Sequence, residues 1–400
     1  MYTCWLIQVT ISAGLSIGDY ADLSTFPVVP EAEIQPYVQE VINEIHFITG
    51  DAKTNEWAKL RIREHDSIDP RCNTHISFTV MSNIAGGYVV IHICRVLIVL
   101  LNLLSQAFVT GLKAAFPDSG FEYLATSLPD TALDPAYTYL DFHQYNTPEW
   151  FIERALQYDT YPRNGTHLFI GEYAVTSTNS SCLLGEFSCG RLEYPTLQGA
   201  VAEAAYMTGL DNSDVIFASA YAPSLQHING WQWTPDIITF DAGDIVKSAS
   251  YYAQHVGLVC MFSTNLGTHV IKTSPAPSAD VPLHWVASHD IKNKIVYLKV
   301  CILYTRNDLT ISNRIAVSFQ AANTANSSFI ASFAFGFPLA GRSSSITVLS
   351  APMANVSNTL TTTNAVLPKT TSLKVASGST VLNYTFPAYS VAVFKLPVNW

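Results

Sequence analysis

Charge is what this sequence has least of. Lysine, arginine, aspartate and glutamate make up 13% of its 400 residues, against about 25% in an average soluble protein. The shortage is greater on the basic side, with 21 Lys and Arg against 31 Asp and Glu and a formal net charge of −10. Phosphate backbones are bound by positive fields, so this balance argues against a nucleic-acid partner. No Cys-x-x-Cys and no Cys/His spacing of the zinc type occurs among the seven cysteines, so neither a metal nor another cofactor is expected. The N-terminus, "MYTCWLIQVTISAGLSIGDY", lacks the basic opening of a signal peptide and reads as an internal strand entered abruptly. The strongest apolar run, "YVVIHICRVLIVLLNLL" at 88–104, carries Arg95 at its middle. At 17 residues it reaches only the lower limit for a membrane span, and no membrane partner is expected.

Aromatics and glycosylation sequons are plentiful instead. The chain has 20 Tyr and 20 Phe, and N-x-S/T sequons at Asn164, Asn179, Asn326, Asn355 and Asn383. A low-charge, aromatic-rich, mildly acidic chain with such sequons suits a secreted, glycosylated protein that handles sugars. Cys182 and Cys189 either close a small loop disulfide or stay as buried thiols. Cys4, Cys72, Cys94, Cys260 and Cys301 take no pairing from spacing.

Periodicity divides the chain in two. Ile34, Tyr37, Val38, Val41, Ile42 and Ile45 form one helical stripe within 31–49, and 106–116 reads as a helix stopped by Pro117. Strands are expected at 121–126 and 137–142. A helix follows, with Asn146 or Thr147 as N-cap, Pro148 in its first turn and Glu149 behind it. A strand at 167–172, a helix at 196–209, a strand at 214–220 and a helix near 244–255 come next. Strand–helix alternation predicts a parallel α/β sheet or barrel. From about 262 short alternating segments take over, at 283–288, 294–300, 315–321, 345–350, 371–376, 380–386 and 390–396. Asn, Ser, Thr and Pro turns separate them, which predicts an all-β sandwich. The expected organisation is an α/β domain over 1–261 and a β-sandwich over 262–400.

In α/β barrels chemistry sits at the C-terminal ends of strands. "YTYLDFHQYN" delivers His143 and Tyr145, and "HLFIGEY" delivers Glu172 and Tyr173. A strand-end carboxylate with His and Tyr from a neighbouring strand suits a glycosidase, which uses one carboxylate as nucleophile and another as general acid/base. No Ser/His/Asp ordering, phosphate loop or metal constellation competes. Taken alone, a Glu after a strand is more often a solvated loop residue, and a lone His more often a satisfied core group.

The blocks "FIGEYA", "YPTLQGAVAEAAYMTGL", "NSDVIFASAYAPSLQHINGWQWTPDIITFDAG" and "STNLGTHVI" resemble the α-L-arabinofuranosidases of glycoside hydrolase family 51, the fungal type in particular. The resemblance covers about 10–65 and 106–290, and the rest more weakly. It implies a (β/α)8 barrel with a β-sandwich, and retaining release of terminal α-L-arabinofuranosyl residues from arabinan and arabinoxylan. It implies that Glu172 is the nucleophile at the end of the seventh barrel strand, and that His143 and Tyr145 line the sugar site. It places Gln226, Asn229 and Trp233 in the loop after the eighth strand as subsite contacts. For Trp231 and Trp233, loop packing is an equal alternative. The resemblance also implies an extracellular enzyme.

Two departures stand out. Counting back from 167–172 puts a third barrel strand near 5–12, so two barrel strands have no counterpart. The resemblance also calls for an Asn-Glu pair at the end of the fourth strand, whose Glu is the acid/base. The corresponding text, "DSIDPRCNTHISFTVMSNIAGGYVVIHICRVLIVLLNLLS", has none and offers Asn83-Ile84 instead. Asn43-Glu44 and Asn55-Glu56 are expected in or after a helix, away from any strand end. No acidic residue occurs between Asp69 and Asp118, and 66–105 reads as sequence foreign to its neighbours, of out-of-frame or retained-intron origin. Residues 256–260 and 301–313 also break family-like text. Two readings follow: an arabinofuranosidase by descent, or a catalytically inactive fragment or pseudoenzyme for want of the acid/base.

Overall fold

The computed structural model describes residues 34–49, 53–59, 106–118, 124–126, 139–230, 233–254, 269–273, 283–302, 329–341 and 343–399. The expected strands near 5–12 and at 315–321, the apolar run 88–104, Asn83-Ile84 and 256–260 lie outside them. So do Trp231, Asn326, Cys4, Cys72, Cys94 and Cys260. The described residues fall into two compact units. One takes His143–Pro162 and Ile170–Trp400, the other Thr3–Phe142 and Arg163–Phe169.

In the second of these, α1 (Ile34–Thr49) buries Ile34, Val38 and Ile45. These positions belong to the stripe that the 3.6-residue period brings onto one face. Helical residues 106–115 (α3) bury Phe108 and Leu112, one turn apart. Gly111 lies so close to Val38 that a β-carbon there would collide with it. Between these helices falls α2 (Glu56–Lys59), whose first turn is capped by the Asn55 side chain accepting from Trp57 N at 2.9 Å. Asn43 is thus inside a helix and Asn55 at a helix start, and neither lies at a strand end.

One sheet has the order β1-β2-β3-β4, from β1 (Leu124–Thr126), β2 (Tyr139–Asn146), β3 (His167–Val175) and β4 (Ile216–Tyr221). β1 and β2 run parallel, with Leu124 opposite Tyr139. Among the described residues this sheet does not close into a barrel. β2 and β3 both outrun the expected strands, so His143, Tyr145 and Glu172 lie within strands rather than just past their ends. α4 (Pro148–Glu153) is shorter than its pattern suggested; Thr147 is its N-cap, accepting from Trp150 N at 3.4 Å.

Behind β3 runs α5 (Leu197–Asn212), buried on all sides from Gly199 to Leu210. Its run of Ala and Gly leaves little side-chain bulk, so neighbours come close on every side. Gly209 faces the Ala155 carbonyl, where a β-carbon would collide with backbone. Thr196 Oγ1 accepts from Gly199 N at 3.1 Å. The Leu197 and Gln198 amides donate to the Val356 and Ala354 carbonyls at 2.8 Å each, so the helix start leaves few donors unmet. A small sheet of β5 (Leu225–His227), β6 (Ile238–Phe240) and β7 (Ile245–Lys247) follows, in that order. The helix expected near 244–255 is therefore shorter. Asp241 accepts from the Gly243 and Asp244 amides and turns the chain into β7. Ser248 then caps α6 (Ala249–Gln254) by accepting from Tyr251 N at 3.0 Å.

The remaining strands are β8 (His269–Ile271), β9 (Leu283–Asp290), β10 (Ile295–Ile302), β11 (Phe329–Ala334), β12 (Ser345–Ser350), β13 (Leu367–Ser372), β14 (Val381–Phe386) and β15 (Ser390–Pro397). Six form an antiparallel sheet in the order β13-β12-β15-β10-β9-β8, and β11 pairs with β14. One apolar core joins both sheets, with Leu283, Trp285, Val296, Leu298, Phe333, Phe386 and Phe394 among its members. Alternation explains it, since every second residue of β9 and β10 points to that core. The strand expected at 371–376 lies earlier, at 367–372. Pro368 is tolerated there because β13 is a sheet edge. On the other face Lys299 Nζ meets Asp211 at 2.6 Å.

Candidate active site

Period-2 geometry sends His143 and Tyr145 of β2 to the same face. Glu172 of the neighbouring strand β3 meets them there. The Tyr145 hydroxyl donates to Glu172 Oε2 at 2.5 Å, and His143 Nδ1 lies 3.4 Å from the same oxygen. The Glu172 side chain is about a quarter exposed, at 24%, so solvent and ligand reach it. A hydrogen bond to a carboxylate is short and strong, and this one fixes the rotamer of Glu172. Glu172 is therefore a held group facing a partly open site, unlike a freely solvated loop residue. No second carboxylate bonds to it among the described residues.

Trp233 forms a wall beside this pair. Its ring lies 5.2 Å from the Tyr145 ring, tilted by 54°. Its indole N–H is buried and makes no hydrogen bond among the described residues. Gln226 sits on β5, buried, accepting from Thr239 Oγ1 at 3.2 Å, while its amide nitrogen has no partner there. Asn229 is exposed, and its backbone amide donates to His227 Nδ1 at 3.3 Å. The structure thus gathers Glu172, His143, Tyr145 and Trp233; Gln226 and Asn229 bond to residues of their own loop region and not to these four.

Sequence reasoning passed over three charged groups nearby. Arg191 is buried, with Nε and Nη2 donating to the Thr234 carbonyl at 3.1 and 2.7 Å. Its guanidinium lies 5.0 Å from the centre of the Trp233 ring. Burial lowers its pKa, and the charge of Asp236 works against that. Burial pushes the Asp236 carboxyl up to about 7, opposed by Arg191. Glu203 of α5 is fully buried behind β3 and accepts from Val175 N at 2.9 Å. Burial drives its pKa from 4.5 to about 7; Ser250 and Gln254 lie beside it and pull the other way. One available signal was isolation, since Arg191 is the only Lys or Arg between Arg163 and Lys247. Cys182 and Cys189 are joined as a disulfide, and Cys301 is a buried free thiol.

Fold and site define a class: a mixed helix-and-sheet protein with a separate antiparallel β core and a strand-borne carboxylate held by Tyr and His. Two family models place it more closely. "Alpha-L-arabinofuranosidase C-terminal domain" matches residues 171–390, and "Alpha-L-arabinofuranosidase 1 domain" matches 4–163, running through the divergent segment 66–105. The chain belongs to the α-L-arabinofuranosidase family, glycoside hydrolase family 51. It is 29% identical over 403 residues to a probable α-L-arabinofuranosidase A of Aspergillus terreus, covering 98% of this chain and 53% of that protein. It is 34% identical over 265 residues to α-L-arabinofuranosidase A of Aspergillus niger, covering 64% of this chain and 36% of that one. Among solved structures, an arabinose-bound family 51 α-L-arabinofuranosidase superposes with a TM-score of 0.72 and 31% identity, over 93% of this chain and 52% of that one. The enzyme of Thermotoga maritima, at 14% identity and a TM-score of 0.61, shares the fold over 90% of this chain and 73% of its own. The chain thus spans about half the length of the first of these curated relatives, and less of the second.

Proposed function

We propose that this chain is a retaining glycosidase that releases terminal α-L-arabinofuranosyl residues from arabinan- or arabinoxylan-type polysaccharide. The observation that carries the reading is the Tyr145–Glu172–His143 constellation in a chain of this family. Glu172 is the nucleophile. Both of its contacts fall on Oε2, which leaves Oε1 to attack the anomeric carbon. The bond to the leaving oxygen breaks as the glycosyl–Glu172 ester forms, and water then hydrolyses that ester with net retention. Tyr145 and His143 hold the carboxylate in line. Trp233, Gln226 and Asn229 are read as subsite contacts from the family resemblance; the ring of Trp233 borders Tyr145 and Asn229 is exposed. The solved relative of TM-score 0.72 holds arabinose, which supports the choice of sugar.

Protonation of the leaving group has no assigned residue, since the segment expected to carry the second carboxylate, within 66–105, lies outside the described residues. General acid help is worth about 10²–10⁴-fold. Turnover is accordingly expected to be faster for aryl glycosides, whose leaving groups depart unprotonated, than for polysaccharide. The rest of the reading follows the family: a barrel over 1–261, a β-sandwich over 262–400, and an extracellular glycoprotein. A relative from Streptomyces chartreusis is named as an extracellular exo-α-L-arabinofuranosidase, which supports the location.

The experiment is hydrolysis of an aryl α-L-arabinofuranoside by the wild-type chain, Glu172→Gln and Tyr145→Phe. The Gln variant is expected to lose at least about 10³-fold in kcat, as removal of a nucleophile does, and the Phe variant about ten- to hundredfold in kcat/KM. A Gln variant with wild-type turnover would sink the assignment.

A further inference from the structure

We propose that Arg191 is a positioning residue of the Glu172 site, acting by holding Trp233 against Tyr145. The inference rests on the reading of Glu172 as the reacting carboxylate. In a chain with so few charges, an arginine only 8% exposed is a costly choice unless its fork is used. Here it is used on one short segment. Nε and Nη2 both reach the Thr234 carbonyl, Nε also reaches Thr234 Oγ1 at 3.2 Å, and the guanidinium lies against the ring of Trp233, next in sequence. Asp236, buried two residues further on, acts on the guanidinium through its charge when ionised. Planarity and a fixed fork allow all of this at once, which a lysine ammonium cannot reproduce.

The other end of Arg191 is anchored to the strand that carries Glu172. Its backbone bridges Ser177, Leu192 N donates to the Thr176 carbonyl at 2.9 Å, and Thr178 N donates to the Gly190 carbonyl at 2.9 Å. The Cys182–Cys189 disulfide closes the intervening loop two residues before Arg191. The result is a closed circuit of contacts. From Glu172 it runs along β3 to the bridged segment at Ser177, across to Arg191, through its side chain to Trp233, and by ring contact to Tyr145, which donates back to Glu172. Displacing the indole frees the Tyr145 ring on that side, and with it the aim of the carboxylate.

The test uses Arg191→Lys, Arg191→Met and Trp233→Phe, alone and combined, in the full chain. With an aryl α-L-arabinofuranoside, both Arg191 variants are expected to lose about ten- to hundredfold in kcat/KM, through KM as the Trp233 wall moves and through kcat as the carboxylate loses its aim. In the Trp233→Phe background the same substitutions should change KM little further, because the route through the indole is already cut. A merely structural arginine would instead lower stability and act additively, with Lys restoring KM. A separate readout needs no turnover. In chain labelled with 5-fluorotryptophan, the ¹⁹F line lost in Trp233→Phe should shift or broaden in Arg191→Lys. If wild-type chain hydrolyses nothing, the reading of Glu172 fails, and the fluorine line alone decides the role of Arg191. An unmoved line, or equal KM effects in both backgrounds, overturns the proposal.

Discussion

Replacing Glu203 by Gln is expected to make the protein more stable above neutral pH and to leave it unchanged in acid. Glu203 is 0% exposed on α5, accepts from Val175 N, and has the Ser250 and Gln254 side chains beside its carboxyl. Burial raises its pKa from 4.5 to about 7. A carboxyl whose pKa is higher in the folded state favours folding while protonated. That contribution is whole below about pH 4.5 and is lost as pH rises through about 7. The gap between 4.5 and about 7, at about 1.36 kcal/mol per pH unit, amounts to about 3 kcal/mol. Glutamine keeps the shape and the acceptor for Val175 N and carries no titrating proton. The variant should match wild type near pH 4.5 and exceed it by about 3 kcal/mol near pH 8, about 6–12 °C in Tm for a unit of this size.

Two other buried groups titrate in the same range. His284 is pushed down to about 4 by burial, so its contribution is present above its ordinary value of 6.5 and lost as pH falls through about 4, the opposite slope. Asp236, pushed up to about 7, slopes the same way as Glu203. Both remain in the variant, so the difference between the two Tm curves isolates Glu203. Parallel curves, or a Gln variant less stable near pH 8, would show that Glu203 does not carry this pH dependence.

Gly209→Ala should cost about 3 kcal/mol by urea unfolding, because its β-carbon would strike the Ala155 carbonyl, which is backbone and cannot rotate away. Lys299→Met should cost about 1–3 kcal/mol, since it removes the 2.6 Å bond to Asp211; Asp211 is 31% exposed and recovers part of its solvation from water. Glycopeptide mass spectrometry of chain expressed through a eukaryotic secretory pathway should find sugar on the exposed Asn164, Asn355 and Asn383. It should find none on Asn179, whose Nδ2 is engaged with the Cys189 carbonyl at 2.9 Å.

Local signals read well where one short-range rule decides. Thr147 before Pro148 predicts a helix start, and alternation over 345–350 predicts β12 with its bounds. Glu172 was legible as the one carboxylate ending an apolar run. The true strand continues to Val175 because the following Tyr, Ala and Val are buried as well. The 367–372 strand was misplaced because Pro368 argues against a strand unless the edge position is known. The β5–β7 sheet was missed because its strands have three residues each, too few for a period. α5 was found from its composition, but its burial on every side follows from neighbours far away in sequence. The contacts of Arg191 and Glu203 were hidden for the same reason, although the isolation of Arg191 could be seen. Arg191 meets Thr234 at a separation of 43 residues and Glu203 meets Val175 at 28, and nothing within a short window announces either contact.

Trapping the intermediate shows whether Glu172 attacks the sugar. The chain is incubated with an activated aryl α-L-arabinofuranoside, quenched in acid, digested and sequenced by mass spectrometry. A pentosyl ester on the peptide that contains Glu172, absent from Glu172→Gln, is the predicted result. Arabinose release with the ester on another carboxylate would rule out Glu172 as the nucleophile.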